Sequence, residues 1–162
     1  MFNNSALREV VVTGLSQYLG VPVIRSSQNA PPPKYPYASY TVTVLENTKS
    51  GTWGRYPDNI DRIPITQTWS ITVQSDKEAE SVELAIKAKE WLTHSGTTYL
   101  NDNDVIVQSA TSITNRDNMI SIEYEYRNGF DVVFWLMNEV NNHEIENNEI
   151  IETVIVKEEQ YG

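Results

Sequence analysis

The side chains able to do chemistry are few. The chain has two histidines, His94 and His143, and no cysteine. Without cysteine there is no thiolate nucleophile, disulfide or thiolate zinc site, which fits maturation in a reducing compartment. His94 falls at the expected end of a helix, where the dipole favours an imidazole with no catalytic duty. His143 stands beside Glu144 and Glu146 in a polar stretch. That spacing does not let one rigid element hold a metal, so a chance cluster is the better reading. Asp58, Asp61, Asp102 and Asp104 fall in turn sequences, where Asp serves its own backbone. Asn101-Asp102-Asn103-Asp104 lacks the spacing of an EF-hand calcium loop. No Gly-rich phosphate loop, nucleophile elbow or HExxH is present. The expectation is no enzyme: no catalytic residues, no metal and no cofactor.

Two stretches are better suited to binding. Lys49 to Asp61, KSGTWGRYPDNID, has the glycines, proline and Asp-Asn of a loop, and a loop of this length is usually functional or disordered. It carries Trp53, Arg55 and Tyr56, residue types that anchor interfaces. The competing reading folds Trp53 back onto the core. The second stretch is the apolar run Val132 to Met137, far short of the roughly 20 residues that span a bilayer. The N-terminus has no basic region followed by an apolar core, so it does not read as a secretory signal.

A chain of 162 residues, 40% apolar and 21% charged, is most simply one soluble domain with a sizeable core. Its net charge of −10 argues against binding nucleic acid by neutralising phosphates. An acidic surface can still border DNA that must slide past without sticking. The plainer reading is that the charge keeps the chain soluble.

Positioning elements follow from periodicity. Leu7, Val10, Val11, Gly14, Leu15 and Tyr18 mark one face of a helix over Asn4 to Leu19. Asn3, Asn4 or Ser5 can cap it and Gly20 can end it. Val21 to Arg25 is a short strand. SSQNAPPPKYP is a stiff, extended connector. PYASYTVTVLENT is a strand rich in Tyr, Thr and Val. Ile63 to Gln74 alternates with period two, as a half-buried strand does. Ser75 and Glu78 read as a capping box for a second helix reaching about His94, with Gly96 as a left-handed stop. Leu84, Ala85, Ala88, Trp91 and Leu92 form one apolar side of this helix. Ala79, Val82 and Ile86 form another, which predicts a further neighbour. Val105 to Thr114 is a strand ending in the turn Asn115-Arg116-Asp117-Asn118. Asn141 to Glu149 is polar, and Ile150 to Lys157 is a last strand candidate. Residues 1–140 form the expected domain and residues 141–162 an acidic extension. Strands joined by turns favour an α+β fold, a mainly antiparallel sheet with two helices on one face.

The stretch SIEYEYRNGFDVVFWLMNEV, Ser121 to Val140, poses a test. Asn-Gly normally signals a two-residue hairpin. That turn would pair Arg127 with Phe130 and Tyr126 with Asp131, polar against apolar at each rung. A three-residue turn pairs Tyr126 with Phe130 and Tyr124 with Val132. A continuous strand also works, because Tyr124, Tyr126, Phe130, Val132, Phe134 and Leu136 share parity and only Asn128 breaks the face. Gly129 then marks a bulge or a close backbone approach. On the odd face, Glu123, Glu125, Arg127 and Asp131 give way to Val133, Trp135 and Met137. That end is apolar on both faces and wants cover from the last strand or from another subunit.

PPPKYPYASYTV (Pro31 to Val42), the NRDN turn (Asn115 to Asn118) and YEYRNGFDVVF (Tyr124 to Phe134) resemble the neck and tail-terminator proteins of tailed bacteriophages. The resemblance covers about Asn3 to Asn141 and tilts the reading to the continuous strand. It implies a structural virion subunit, assembled in the host cytoplasm, that forms a homo-hexameric ring at the head-proximal end of the tail. Such a ring caps the tail tube and meets the head–tail connector or stopper protein. DNA passes through its lumen without specific binding, and no membrane is involved. Interface candidates are Trp53, Arg55, Tyr56, Val133, Trp135 and Met137. Runner-up readings are another head–tail joining or tail-tube subunit, or a carbohydrate-binding module using Trp53, Tyr56 and Trp69.

Overall fold

The computed structural model describes residues 3–48, 53–120 and 123–141. The expected last strand, Ile150–Lys157, and His143 lie outside them. In chain order the elements are α1 (Asn4–Leu19), β1 (Val23–Arg25), β2 (Tyr37–Asn47), β3 (Ile60–Ser75) and α2 (Glu78–Glu90). A π-helical turn (Trp91–Ser95), α3 (Thr97–Asp102), β4 (Ile106–Ala110), β5 (Thr114–Asn115), β6 (Asn118–Ile120) and β7 (Glu123–Asn141) complete them. The sheet runs β1-β2-β3-β7-β4, with β5 and β6 also against β7. Among the described strands only the β1–β2 pairing is parallel. The fold is α+β, as the sequence predicts.

β7 crosses Asn128-Gly129 as one strand, paired without a break to β3 from Ile60↔Asn141 to Ser75↔Tyr126. Gly129 is a close approach: a Cβ there would collide with the Ile71 carbonyl oxygen and the Arg116 guanidinium. Asn128, the polar exception on the core face, donates to Ser81 Oγ of α2 at 3.0 Å. Ser81 Oγ in turn donates to the Val73 carbonyl at 3.1 Å.

The core lies between one sheet face and the helices. Leu7, Val11, Leu15 and Leu19 of α1 and Leu84, Ala85 and Ala88 of α2 meet Ile63, Ile65, Trp69, Ile71 and Val73 of β3. Phe130, Val132, Phe134 and Leu136 of β7 join them, as do Ala38 and Tyr40 of β2 and Trp91, Leu92, Leu100 and Val105. Trp69 is fully buried, stacked on Tyr40 and edge-on to Phe134. Gln67 is buried in the same row and satisfied, donating to the Leu45 carbonyl and Asn4 Oδ1 and accepting from Trp69 Nε1.

Helix ends follow the expectation in α1 and depart from it in α2. Asn3 Oδ1 accepts from Ala6 N–H, and Gly20 closes α1 at φ 69°. Tyr18, expected on the core face, is 45% exposed and stacks on Trp91. At α2 the capping box is not made. Ser75 Oγ accepts from Lys77 N–H instead, and donates to Glu80 rather than Glu78. Gly96 is no left-handed stop, with φ −95°. The chain continues into α3, and Gly96 is needed because the Trp91 ring fills its side-chain space. The expected single strand Val105–Thr114 divides into β4 and the start of β5.

Candidate functional site

The sheet face away from the helices carries the exposed chemistry. At one end of it β7 presents Val133 and Trp135, both half-buried, and Met137, 37% exposed. Across the ladder they meet Thr68, Thr66 and Pro64. Ile106 of β4, 44% exposed, lies beside Trp135.

The loop before β3 folds into a hairpin at this same end. Gly54 N–H donates to the Arg62 carbonyl at 2.8 Å, and Arg62 N–H to the Gly54 carbonyl at 2.9 Å. The Arg62 guanidinium then ties three segments together. It reaches Asp58 at 2.7 Å and Glu139 at 2.9 Å, and covers the Tyr56 ring at 4.8 Å. The hydrogen bond from Arg62 holds the Asp58 carboxyl below its ordinary range, and the two carboxylates push Arg62 further up. The structure therefore brings Tyr56 and the Met137 strand end to one end of the sheet. Arg55 and Tyr56 are exposed. Trp53 is not splayed outward: it is half-buried and packs against the core.

Charges on the outer face are organised by a residue to which the periodicity assigns no role. Arg116 donates from Nη1 to Ser70 Oγ at 2.8 Å and Thr72 Oγ1 at 3.0 Å, and from Nη2 to Asp131 at 3.2 Å. It comes from the NRDN turn, whose Asp117 is also anchored. Burial opposes ionisation of Asp117. The Arg127 N–H, Asn115 and Tyr124 outweigh that and hold its carboxyl below the ordinary range. The NRDN spelling is the only signal for this arrangement, since its partners lie far away along the chain.

At the other end of this face the proline-rich connector borders a cavity of about 570 Å³. Pro32, Pro33 and Tyr35 stand on one side, and Tyr37, Gln74 and Arg127 on the other. Glu125, one of the charged residues of the odd face, is buried here. It accepts from Tyr35 Oη at 2.5 Å and pairs with Arg127 at 3.6 Å. Burial pushes the Tyr37 hydroxyl up, and the Glu125 charge adds to that.

Among the described residues no group of three His, Cys, Asp or Glu could hold a metal. Asn101–Asp104 is the end of α3, with Asn103 Nδ2 bonded to the Tyr99 carbonyl. No described helix is long and apolar enough to cross a membrane. The carbohydrate-binding alternative fails at Trp69, which is 1% exposed and cannot stack on a sugar.

No curated protein matches the chain. The profile of the phage neck terminator proteins matches residues 9–160, nearly the whole sequence. The match spans both the NRDN turn and β7. The chain belongs to the phage neck terminator protein family, structural components of the phage neck.

Proposed function

We propose that this subunit forms a homo-hexameric ring at the head-proximal end of the tail, where it caps the tail tube and meets the head–tail connector or stopper protein. The observation that carries the reading is the exposed apolar strand end around Trp135 and Met137, beside the Arg55–Tyr56 hairpin. An isolated subunit gains nothing from holding these groups in water, and a neighbour would bury them. Family membership supports the neck setting. The charge of −10 supports a lumen through which DNA passes without adhering.

Imaging of the purified protein mixed with tail tubes tests the reading. A ring seated on one tube end is the expected result. Phage lacking the protein are expected to make tails of uncontrolled length. Tailless heads, or heads that lose DNA while tails keep their length, point instead to another joining subunit. A chain that stays monomeric and never binds tubes ends the proposal.

A further inference from the structure

The ends of the central sheet are unequal. β1 covers the margin of β2 only through Tyr40, with Ser26 N–H adding a last bond to the Tyr40 carbonyl. Among the described residues no strand lies on this outer margin beside Thr41–Asn47. On the opposite margin, β4, β5 and β6 cover β7 up to Trp135. No described strand lies beside Leu136–Asn141 on the margin away from β3. Asn47 faces Thr66 and Leu136 faces Ile65. The two bare margins therefore flank neighbouring positions of β3, at the same end of the sheet.

Bare edges present unpaired N–H and C=O groups, and soluble proteins usually guard them with lysine, proline or a covering segment. These margins carry little charge. β2 shows Val44 and Leu45, 40% and 66% exposed, and β7 shows Met137 and Val140, 37% and 43% exposed. The register shifts at Val42/Val44 and Val44/Asn47 bend β2 and leave both Val44 and Leu45 in water. The charged residues on them are Glu46 and Glu139, and Arg62 already binds the latter. A basic partner would find little acid here, although the chain as a whole is at −10. The surface that matches a nearly neutral, apolar strand edge is another such edge.

We infer that the β2 margin of one copy pairs with the β7 margin of the next, so that Leu45 and Val44 pack beside Met137 and Val140 and one sheet runs on through the assembly. The two surfaces differ, so the contact is head-to-tail. Contacts of that kind close into rings, or run on as open filaments where the rotation does not close, and do not give two-fold dimers. The inference rests on the ring reading above and adds which edges make it.

The test uses full-length chains carrying Leu45→Asp or Val140→Asp, each side chain being exposed, with circular dichroism confirming the fold. Native mass measurement is expected to show a ring for the wild type and loss of the ring for each variant alone. An equal mixture of the two variants retains one intact edge of each kind. It is expected to give a dimer of one L45D and one V140D chain that goes no further. If both variants keep the wild-type ring, the edge pairing is wrong and the ring reading stands. If L45D is inert and only V140D disassembles the ring, another occupant, residues 142–162 included, fills the β7 margin and the inference fails. It also fails if the mixture stays monomeric. A monomeric wild type, with or without tail tubes, removes the ring reading itself.

Discussion

The guanidinium of Arg116 occupies the space that a side chain on Gly129 would fill, with Nη1 2.8 Å from the position of a Cβ. The Ile71 carbonyl crowds the same point from β3. Backbone cannot retreat as a flexible side chain can. Gly129→Ala is therefore expected to cost about 2 kcal/mol or more. For a chain of this size that lowers Tm by roughly 5 °C or more, readable by calorimetry. A stability equal to wild type would mean that the strands can part here.

Ser81→Ala leaves the buried Asn128 amide without its partner. The expected loss is about 1–3 kcal/mol in urea unfolding, the range for an unsatisfied buried polar group. Adding Asn128→Leu removes the stranded amide along with its partner. The double variant is expected to lose less than the sum of the two single ones.

Asp117 sets an acid limit. Its folded-state pKa lies below the ordinary 3.8, so the unfolded chain takes up the proton first. The stability it contributes is present above pH 3.8 and is lost as pH falls through the depressed folded value. Asp117→Asn is expected to be less stable than wild type at neutral pH, with the gap narrowing below that point. Urea unfolding at a series of pH values measures it. A gap independent of pH would show that the carboxylate charge contributes nothing.

Tyr37 gives the alkaline counterpart. Burial and Glu125 raise its folded-state value above 10.0. Its contribution is therefore full below pH 10 and fades as pH rises through the folded value. Ultraviolet titration of wild type against Tyr37→Phe is expected to remove one late-ionising tyrosine.

Arg55 and Tyr56 separate association from folding. Both are exposed, and Tyr56 gives up only its exposed contact with Arg62, so Arg55→Glu with Tyr56→Ala is expected to change monomer stability by about 1 kcal/mol or less. The same pair is expected to weaken binding to tail tubes, measured by co-sedimentation. Unchanged binding removes the hairpin from the interface.

Much of the fold was legible because period and parity are local properties. The parity of Phe130, Val132, Phe134 and Leu136 continues that of Tyr124 and Tyr126, and this allowed one strand through an Asn-Gly pair. The Asn3 cap and the Gly20 stop are written within a few residues of the helix they serve. What stayed hidden depends on distant partners. Glu125 reads only as one of several odd-face charges, and its burial depends on Tyr35, far off in sequence. Gly96 reads as a stop until the Trp91 ring is seen filling its space, so α3 went unread. Arg116 has no local signal beyond the NRDN spelling, since its partners are Ser70, Thr72 and Asp131. The interface candidates were legible as residue types. That the hairpin and the Met137 strand end meet through Arg62 and Glu139 was not.

The unbroken ladder between β3 and β7 also dictates when the subunit becomes itself. Its rungs close loops from 51 residues (126 − 75) to 81 residues (141 − 60). Such distant pairings are slow to find, and single domains built on them fold in about milliseconds to seconds. β7 is the last described strand to leave the ribosome, so a nascent chain has helices and half a sheet but no finished core. Synthesis thus acts as a timer: the core between the sheet and the helices can close only after β7 has been made.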